Sequence, residues 1–273
     1  MYCLSIIYWV ISIITSGAIF GLCGWYNEWY LYIVTLIMIP VLYVVCFGIN
    51  VVILYIWSLF LNKKKYVTKP NLFYYWWVRQ ICHQLDVLSR TKVVINGQEK
   101  LPLEKYLLVS NHISMFDAIV VVDKIKSQHI LGITKIENEK IPICGPFIHE
   151  AGFIALDRSN ARKAVSAIKK ANSYIENNWC NMFVYPEGTR SKDGSLLEFH
   201  AGSFNIAYRV NAPVVVCNFV GTDKISKNFP FKSTKVTLDI IKVIYPNEYQ
   251  DLNTQGLADM ARNIILEFQN KEK

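Results

Sequence analysis

A histidine and an aspartate stand five residues apart in the stretch LLVSNHISMFDAIVVV, residues 107–122, as His112 and Asp117. The apolar run before the pair is typical of a strand and the residues after it of a helix, so the pair falls at a junction between elements. A carboxylate placed there can hold one imidazole nitrogen and leave the other to act as a general base. The alternative is architectural, because Ser114 and Asp117 also match a capping box for the helix.

A second polar group follows another apolar run, in FVYPEGTRS, residues 183–191. Glu187 and Arg190 are predicted to lie together at a strand end, with Gly188 permitting a tight turn between them. The alternative is a polar surface turn with an ion pair, which contributes little stability.

The segments that must position these groups alternate from residue 91 onward. Strands are predicted at residues 91–96, 106–110, 130–134, 152–156, 181–185, 212–219 and 235–245, and helices at 115–125, 161–178 and 254–270. Such alternation predicts an α/β domain with a mostly parallel central sheet. Ligands of these sheets gather at the carboxyl ends of the strands, where both polar groups are expected.

Residues 1–61 have a different composition, with Glu28 as their single charged side chain. A membrane span needs roughly 20 apolar residues, and residues 4–25 and 30–61 each supply one, the second with Pro40 as an expected kink. A signal peptide would carry basic residues ahead of its apolar run, and the first span has none. A buried soluble hairpin is the other alternative. We predict a membrane-embedded two-helix hairpin over residues 1–65.

The lysines of NKKK, residues 62–65, predict the orientation, because lysines beside a span stay in the cytoplasm. The domain that follows the spans is therefore expected on the cytoplasmic face of a membrane, the inner or cell membrane if the protein is bacterial. Residues 66–90 are predicted as an interfacial linker helix, with an ordinary core helix as the equal alternative. Residues 91–273 form the predicted α/β domain.

Charge points to an anionic partner, because all 29 Lys and Arg and 20 of the 21 acidic residues follow the apolar region, a net charge of +9. The sequence lacks a basic run interleaved with base-stacking aromatics, the pattern that would indicate nucleic-acid binding. Phospholipid headgroups are therefore the better candidate for the anionic partner. The seven cysteines form no CxxC pair and the five histidines no HExxH motif. Neither a metal nor another cofactor is expected.

Four blocks in this order are similar to those of the glycerolipid acyltransferase family, which includes bacterial 1-acylglycerol-3-phosphate acyltransferase. The blocks are NHISMFD, GFIALDR, YPEGTRS and APVVV, and GITKIENEKIPICG resembles the family segment between the first two. The resemblance covers about residues 93–219. His200 departs from the pattern, since a lysine is frequent there, and Ile113 replaces a commonly polar residue.

The resemblance implies transfer of a fatty acyl group from a thioester, acyl-CoA or acyl carrier protein, to the sn-2 hydroxyl of 1-acylglycerol-3-phosphate (lysophosphatidic acid), giving phosphatidic acid. His112 would be the general base, oriented by Asp117, without a covalent intermediate. The residues expected to bind the acceptor are Lys135, Arg158, Glu187, Gly188, Thr189 and Arg190, with Gly188 as a backbone donor and Thr189 as a hydroxyl donor. Glu187 is expected to orient either an arginine or a glycerol hydroxyl.

Two other functions stay open at this point. One is acyl transfer to another lysophospholipid, which would keep His112 and Asp117 without needing every phosphate-binding arginine. The other is a membrane-anchored lipid-binding module without chemistry, which would not need an oriented base.

Overall fold

The computed structural model describes residues 3–62, 65–125, 129–157 and 160–271. The chain divides into two compact units, Met1–Asn62 and Lys63–Lys273.

The first unit contains the two apolar helices α1 (Cys3–Leu22) and α2 (Trp29–Phe60). They run antiparallel, because the ring of Tyr8 packs on that of Tyr43 at 5.8 Å and the ring of Phe20 on that of Tyr32 at 4.8 Å. Both helices are long and apolar enough to cross a membrane, which is consistent with membrane association. Their orientation stays a prediction.

The second unit is built on a seven-stranded sheet of order β1-β7-β6-β2-β5-β3-β4. The strands are β1 (Thr91–Asn96), β2 (Leu107–Ser110), β3 (Ile130–Lys135), β4 (Ile154–Leu156), β5 (Asn181–Val184), β6 (Val214–Val220) and β7 (Thr234–Ile244). Every neighbouring pair is parallel except β6 and β7, which are antiparallel. The predicted α/β class with a mostly parallel sheet is confirmed.

Eight helices among the described residues accompany the sheet: α3 (Leu72–Leu88), α4 (Phe116–Lys124), α5 (Cys144–Ala151), α6 (Ala161–Glu176), α7 (Ala201–Tyr208), α8 (Ile225–Asn228), α9 (Pro246–Tyr249) and α10 (Thr254–Lys271). The central strands β2 and β5 are buried at every position, which explains their continuous apolar runs. Helices α5 and α7 were not among the predicted elements.

The carboxyl ends of β2 to β6 all lie at one edge of the sheet, which we call the carboxyl edge. Because β7 is antiparallel to β6 and β1 is parallel to β7, the first residues of β7 and β1 lie at this edge too. The loops after β2, β3, β4 and β5, the β6–β7 connection and the end of α3 therefore all lie at this edge.

Helix α3 packs against α4 and α5 within the second unit. A buried ionic cluster links α3 to α4: Asp123 Oδ2 lies 3.2 Å from His83 Nδ1 and 2.5 Å from Lys124 Nζ, and Lys124 Nζ lies 3.5 Å from Asp86 Oδ2. Since α4 also carries Asp117, this cluster helps to fix the helix that presents it. The role of residues 66–90 as an interfacial linker stays a prediction.

Candidate active site

The loop after β2 is fixed to β6 by one buried side chain, that of Asn111. Its side-chain N–H donates to the Phe219 carbonyl at 3.0 Å, and its Oδ1 accepts from the Phe219 N–H at 2.7 Å. Because β2 and β6 are already paired, this contact extends their pairing beyond the end of β2. The next residue, His112, thus starts from a fixed backbone position.

His112 and Asp117 are in hydrogen-bond contact, with Nδ1 2.8 Å from Oδ2. The aspartate side chain is fully buried, whereas the histidine side chain keeps 19% of its surface exposed. A carboxylate only accepts hydrogen bonds, so Nδ1 carries the proton and Nε2 keeps a lone pair. The imidazole is therefore held in the tautomer that a general base needs.

Asp117 accepts three further hydrogen bonds. Its Oδ2 accepts from the N–H groups of Ile113 and Ser114, each at 2.9 Å, and its Oδ1 accepts from the hydroxyl of Thr222. Burying a carboxylate is costly unless it is hydrogen-bonded, and these donors satisfy it and fix its plane. Thr222 was not singled out from the sequence, where its one signal is a position just beyond an apolar strand.

The start of α4 uses the same carboxylate. Ser114 Oγ accepts from the Phe116 N–H at 3.2 Å, whereas the Asp117 N–H donates to the Ser114 carbonyl at 3.3 Å. One half of the capping box is thus present, because Asp117 accepts from the Ser114 N–H. The other half differs, because the Ser114 hydroxyl accepts from the Phe116 N–H and not from the Asp117 N–H. Asp117 therefore both caps α4 and holds the imidazole of His112.

Tyr185, directly after β5, stacks on the His112 ring with centroids 4.1 Å apart and planes 8° apart. Burial raises the pKa of the Tyr185 phenol well above its ordinary value, so the ring is neutral at physiological pH. It restricts rotation of the imidazole without adding charge.

Glu187 has partners other than those expected. It is buried, with Oε1 accepting from the His112 N–H at 2.7 Å and Oε2 accepting from the Leu197 N–H at 3.1 Å. Burial raises the pKa of this carboxyl, and the two N–H donors oppose that rise. In the structure both oxygens of Glu187 accept from backbone N–H groups. The expectation that Glu187 orients an arginine or a substrate hydroxyl stays a prediction.

A cleft of about 350 Å³ opens beside the histidine loop. Its lining residues are Ile113, Thr189, Arg190, Ser191 and Lys192. The Ser191 N–H donates to the His112 carbonyl at 2.8 Å, and the His112 N–H is held by Glu187. The segment that forms the cleft thus fixes both backbone polar groups of His112.

The cleft brings two cations together, Arg190 and Lys192, and both residues are exposed. Gly188 has φ +71° and its N–H donates to the Tyr185 carbonyl at 3.0 Å. The tight turn expected at this glycine is present, and Thr189 and Arg190, which follow it, are exposed. Lys192 was missed in the sequence, where a lysine two residues after Arg190 was its only signal.

The expected cation Lys135 is not among the residues that line the cleft. Lys135 ends β3 at the carboxyl edge, but its side chain is 60% exposed and its Nζ lies 3.3 Å from Glu137 Oε1. Arg158 lies outside the described residues, two positions after β4 ends at Leu156.

Within residues 3–62, 65–125, 129–157 and 160–271, no group of three or more His, Cys, Asp or Glu side chains is placed to hold a metal ion. The expectation of a reaction without metal or other cofactor stays a prediction.

Comparisons with known proteins indicate an acyltransferase. Residues 92–220 match the family described as Acyltransferase. A chloroplastic 1-acyl-sn-glycerol-3-phosphate acyltransferase of Brassica napus is 30% identical over 71% of this chain and 55% of its own length. The 1-acyl-sn-glycerol-3-phosphate acyltransferase alpha of Ovis aries is 26% identical over 69% of this chain and 67% of its own length.

These relatives are longer than the segment that they share with this chain, which spans about half to two thirds of their length. Among solved structures, the crystal structure of the 1-acyl-sn-glycerophosphate acyltransferase PlsC from Thermotoga maritima superposes with a TM-score of 0.58 at 23% identity. That superposition covers 73% of this chain and 80% of the other, and it supports the fold.

Proposed function

Since the chain belongs, through residues 92–220, to the glycerolipid acyltransferase family, we propose that it transfers a fatty acyl group from a thioester to the sn-2 hydroxyl of 1-acylglycerol-3-phosphate. The product would be phosphatidic acid. The acyl donor is acyl-CoA or an acyl carrier protein thioester. Both are polyanionic and would be drawn to a region of net charge +9.

The base in this proposal is His112 Nε2. The Asp117 carboxylate keeps the proton of the resting imidazole on Nδ1, so that Nε2 can receive the proton of the acceptor hydroxyl. The imidazolium that forms is then stabilised by the adjacent negative charge. Tyr185, stacked on the ring, and Glu187, bonded to the His112 N–H, hold the base in position throughout.

The chemical step balances without an acyl-enzyme. As Nε2 takes the proton, the hydroxyl oxygen attacks the thioester carbonyl carbon and a tetrahedral oxyanion forms. The oxyanion collapses with cleavage of the carbon–sulfur bond, and the departing thiolate takes the proton back from the imidazolium. His112 ends neutral, one ester bond has formed and one thioester bond has broken.

The phosphate of the acceptor would lie in the cleft. Arg190 can grip two phosphate oxygens with its planar guanidinium, and Lys192 adds a second positive charge. The Thr189 hydroxyl is a further donor. Because Ser191 bonds the His112 carbonyl, a phosphate held in the cleft would bring the neighbouring hydroxyl to the base. Lys135 and Arg158 stay candidate contacts from the carboxyl ends of β3 and β4.

One observation carries the proposal. His112, whose tautomer is fixed by Asp117, lies beside a cleft that contains Arg190, and its backbone carbonyl accepts a hydrogen bond from Ser191 of that cleft. A lipid-binding module without chemistry has no need of that histidine, so we favour catalysis. We further propose that α1 and α2 anchor the protein in a membrane with the catalytic unit on the cytoplasmic face, following the lysines of residues 62–65.

The test is release of free thiol by the purified full-length protein in detergent. The protein is given lysophosphatidic acid with either acyl-CoA or the acyl carrier protein thioester, and the lipid product is identified by mass spectrometry. We expect phosphatidic acid with at least one donor, and a loss of roughly 10²–10⁴-fold in kcat for His112→Ala.

His129→Ala is the matched control, because His129 precedes β3 at the opposite edge of the sheet. Its activity should stay near that of the parent protein. Retained turnover in His112→Ala would contradict the assigned base. A parent protein that binds the lipid but is inert with both donors would favour the lipid-binding module. Efficient use of a lysophospholipid lacking a phosphomonoester would assign another acceptor.

A further inference from the structure

The β6–β7 connection, residues 221–233, begins inside the candidate active site and ends on the surface. Thr222, its second residue, donates to Asp117. Since β6 ends and β7 begins at the carboxyl edge, the whole connection projects from the edge that holds His112. Its surface therefore belongs to the same side of the domain as the cleft.

The far end of this connection exposes two aromatic rings. Phe231 is 85% exposed and Phe229 is 53% exposed. Exposure of an apolar ring to water is energetically unfavourable. We call these two rings the aromatic tip.

The backbone of the aromatic tip is ordered by hydrogen bonds. The Phe229 N–H donates to the Ile225 carbonyl at 3.0 Å, and Arg90 Nη1 donates to the Phe231 carbonyl at 3.1 Å. The Lys232 N–H donates to the Asn228 carbonyl at 2.8 Å. The two rings are thus presented outward by a held turn and are not side chains of a loose loop.

Positive charge and further apolar surface accompany the aromatic tip. Residues 222–235 contain four lysines and one acidic residue, Asp223, and all five of these side chains are exposed. Val87 and Leu88, 48% and 44% exposed, end α3 just before Arg90, which bonds the Phe231 carbonyl. Aromatic rings with lysines beside them suit the boundary between lipid headgroups and acyl chains.

We propose that the aromatic tip and its lysines form a contact surface for an anionic phospholipid bilayer. The rings of Phe229 and Phe231 enter the headgroup–acyl boundary, and the lysines lie among the headgroup phosphates of an anionic surface. Charge complementarity fits an anionic surface, and the exposed rings beside the lysines favour a bilayer over a soluble anion. The two membrane-length helices of the same chain are consistent with a bilayer nearby. The contact turns the carboxyl edge toward the membrane, where an amphiphilic acceptor resides.

The test uses photocrosslinking in the full-length protein. Benzoylphenylalanine replaces Phe231, or Tyr245 as a matched control, and the protein is reconstituted in vesicles containing phosphatidylglycerol with or without added acyl carrier protein. Tyr245 is also an exposed aromatic (40%), but it follows the carboxyl end of the antiparallel β7 and so lies at the opposite edge of the sheet.

We expect lipid adducts at position 231 to exceed those at position 245 by roughly tenfold, and to fall when phosphatidylglycerol is replaced by phosphatidylcholine. Equal labelling of the two positions would overturn the proposal. Adducts at position 231 with acyl carrier protein in place of lipid would overturn it too, because the surface would then be a protein-docking site. This readout needs no turnover, so it is independent of the proposed reaction.

A second variant measures the consequence for activity. The double substitution Phe229→Ser and Phe231→Ser should raise the KM for lysophosphatidic acid in vesicles several-fold and leave the rate in detergent micelles unchanged. Tyr245→Ser should change neither. A double variant as active as the parent in vesicles, or equally impaired in micelles, would contradict a membrane-contact role.

Discussion

The substitution Asp117→Asn separates the charge of this side chain from its architectural role. Asparagine keeps one oxygen, which can stay at the Oδ2 position and accept from His112 Nδ1 and from the N–H groups of Ile113 and Ser114. The amide nitrogen then takes the Oδ1 position, where the Thr222 hydroxyl can turn to accept from it. The start of α4 and the tautomer of the histidine should therefore survive.

What the substitution removes is the negative charge beside the imidazolium. With the charge centres about 4 Å apart and an effective dielectric constant near 20, the lost attraction is about 4 kcal/mol. Each 1.4 kcal/mol corresponds to roughly a tenfold change in rate, so kcat should fall by about 10³-fold. The KM for the acceptor should change little, because Arg190 and Lys192 are untouched.

Two measurements on the same detergent-solubilised preparation decide the matter: thiol release over a range of acceptor concentrations, and thermal unfolding. The expected result is a large fall in kcat with an unfolding temperature close to that of the parent protein. A variant that keeps more than about a tenth of the parental kcat would refute the electrostatic role. A variant that is inactive because it unfolds would show that Asp117 acts chiefly as the cap of α4.

Three further outcomes are expected. Thr222→Val should lower kcat by roughly tenfold through loss of one hydrogen bond to Asp117, and Thr222→Ser should restore it; equal rates in both would contradict this positioning role. Arg190→Lys should raise the KM for the acceptor by roughly tenfold at nearly constant kcat, since a lysine cannot bind phosphate bidentately. The measurement is steady-state kinetics at a fixed donor concentration, and a fall in kcat with unchanged KM would contradict a role in acceptor binding. Burial raises the pKa of Asp86 to about 7, so the folded protein holds a proton that the unfolded chain releases near its ordinary pKa of 3.8. The free energy of unfolding should therefore fall as the pH rises from about 4 to about 7, by at most about 1.4 kcal/mol per pH unit. Asp86→Asn should remove that slope in thermal unfolding followed across this range, and parallel curves for the two proteins would contradict the assignment.

The parts of the site that the sequence predicts are those that depend on local chain geometry. His112 and Asp117 are five residues apart across one helix start, so a strand–loop–helix reading is enough to expect their contact. Gly188 and the turn before Arg190 are likewise local. The central strands were predictable because strands buried on both faces are continuously apolar.

The missing parts depend on which strands are neighbours, and no local pattern encodes that order. Glu187 reaches the His112 N–H across 75 residues because β5 lies beside β2, and Thr222 reaches Asp117 across 105 residues because β6 lies on the other side. A glutamate beside an arginine therefore suggested an ion pair, whereas its oxygens brace the histidine loop. Helix α5 was missed because its first turn contains Gly145 and Pro146, which in a sequence favour a turn, although a proline is tolerated there.

The backbone hydrogen bonds between His112 and the segment that carries Glu187 and Ser191 have a consequence for substrate choice. They hold the cations of the cleft at a constant distance from the His112 base. Under the proposed function, the site would favour an acceptor whose hydroxyl lies a fixed number of bonds from its phosphate, whatever acyl chain the acceptor carries. Acceptor preference would then vary through side chains that line the cleft without binding the phosphate, such as Ile113, while the distance between the cations and the base stays the same.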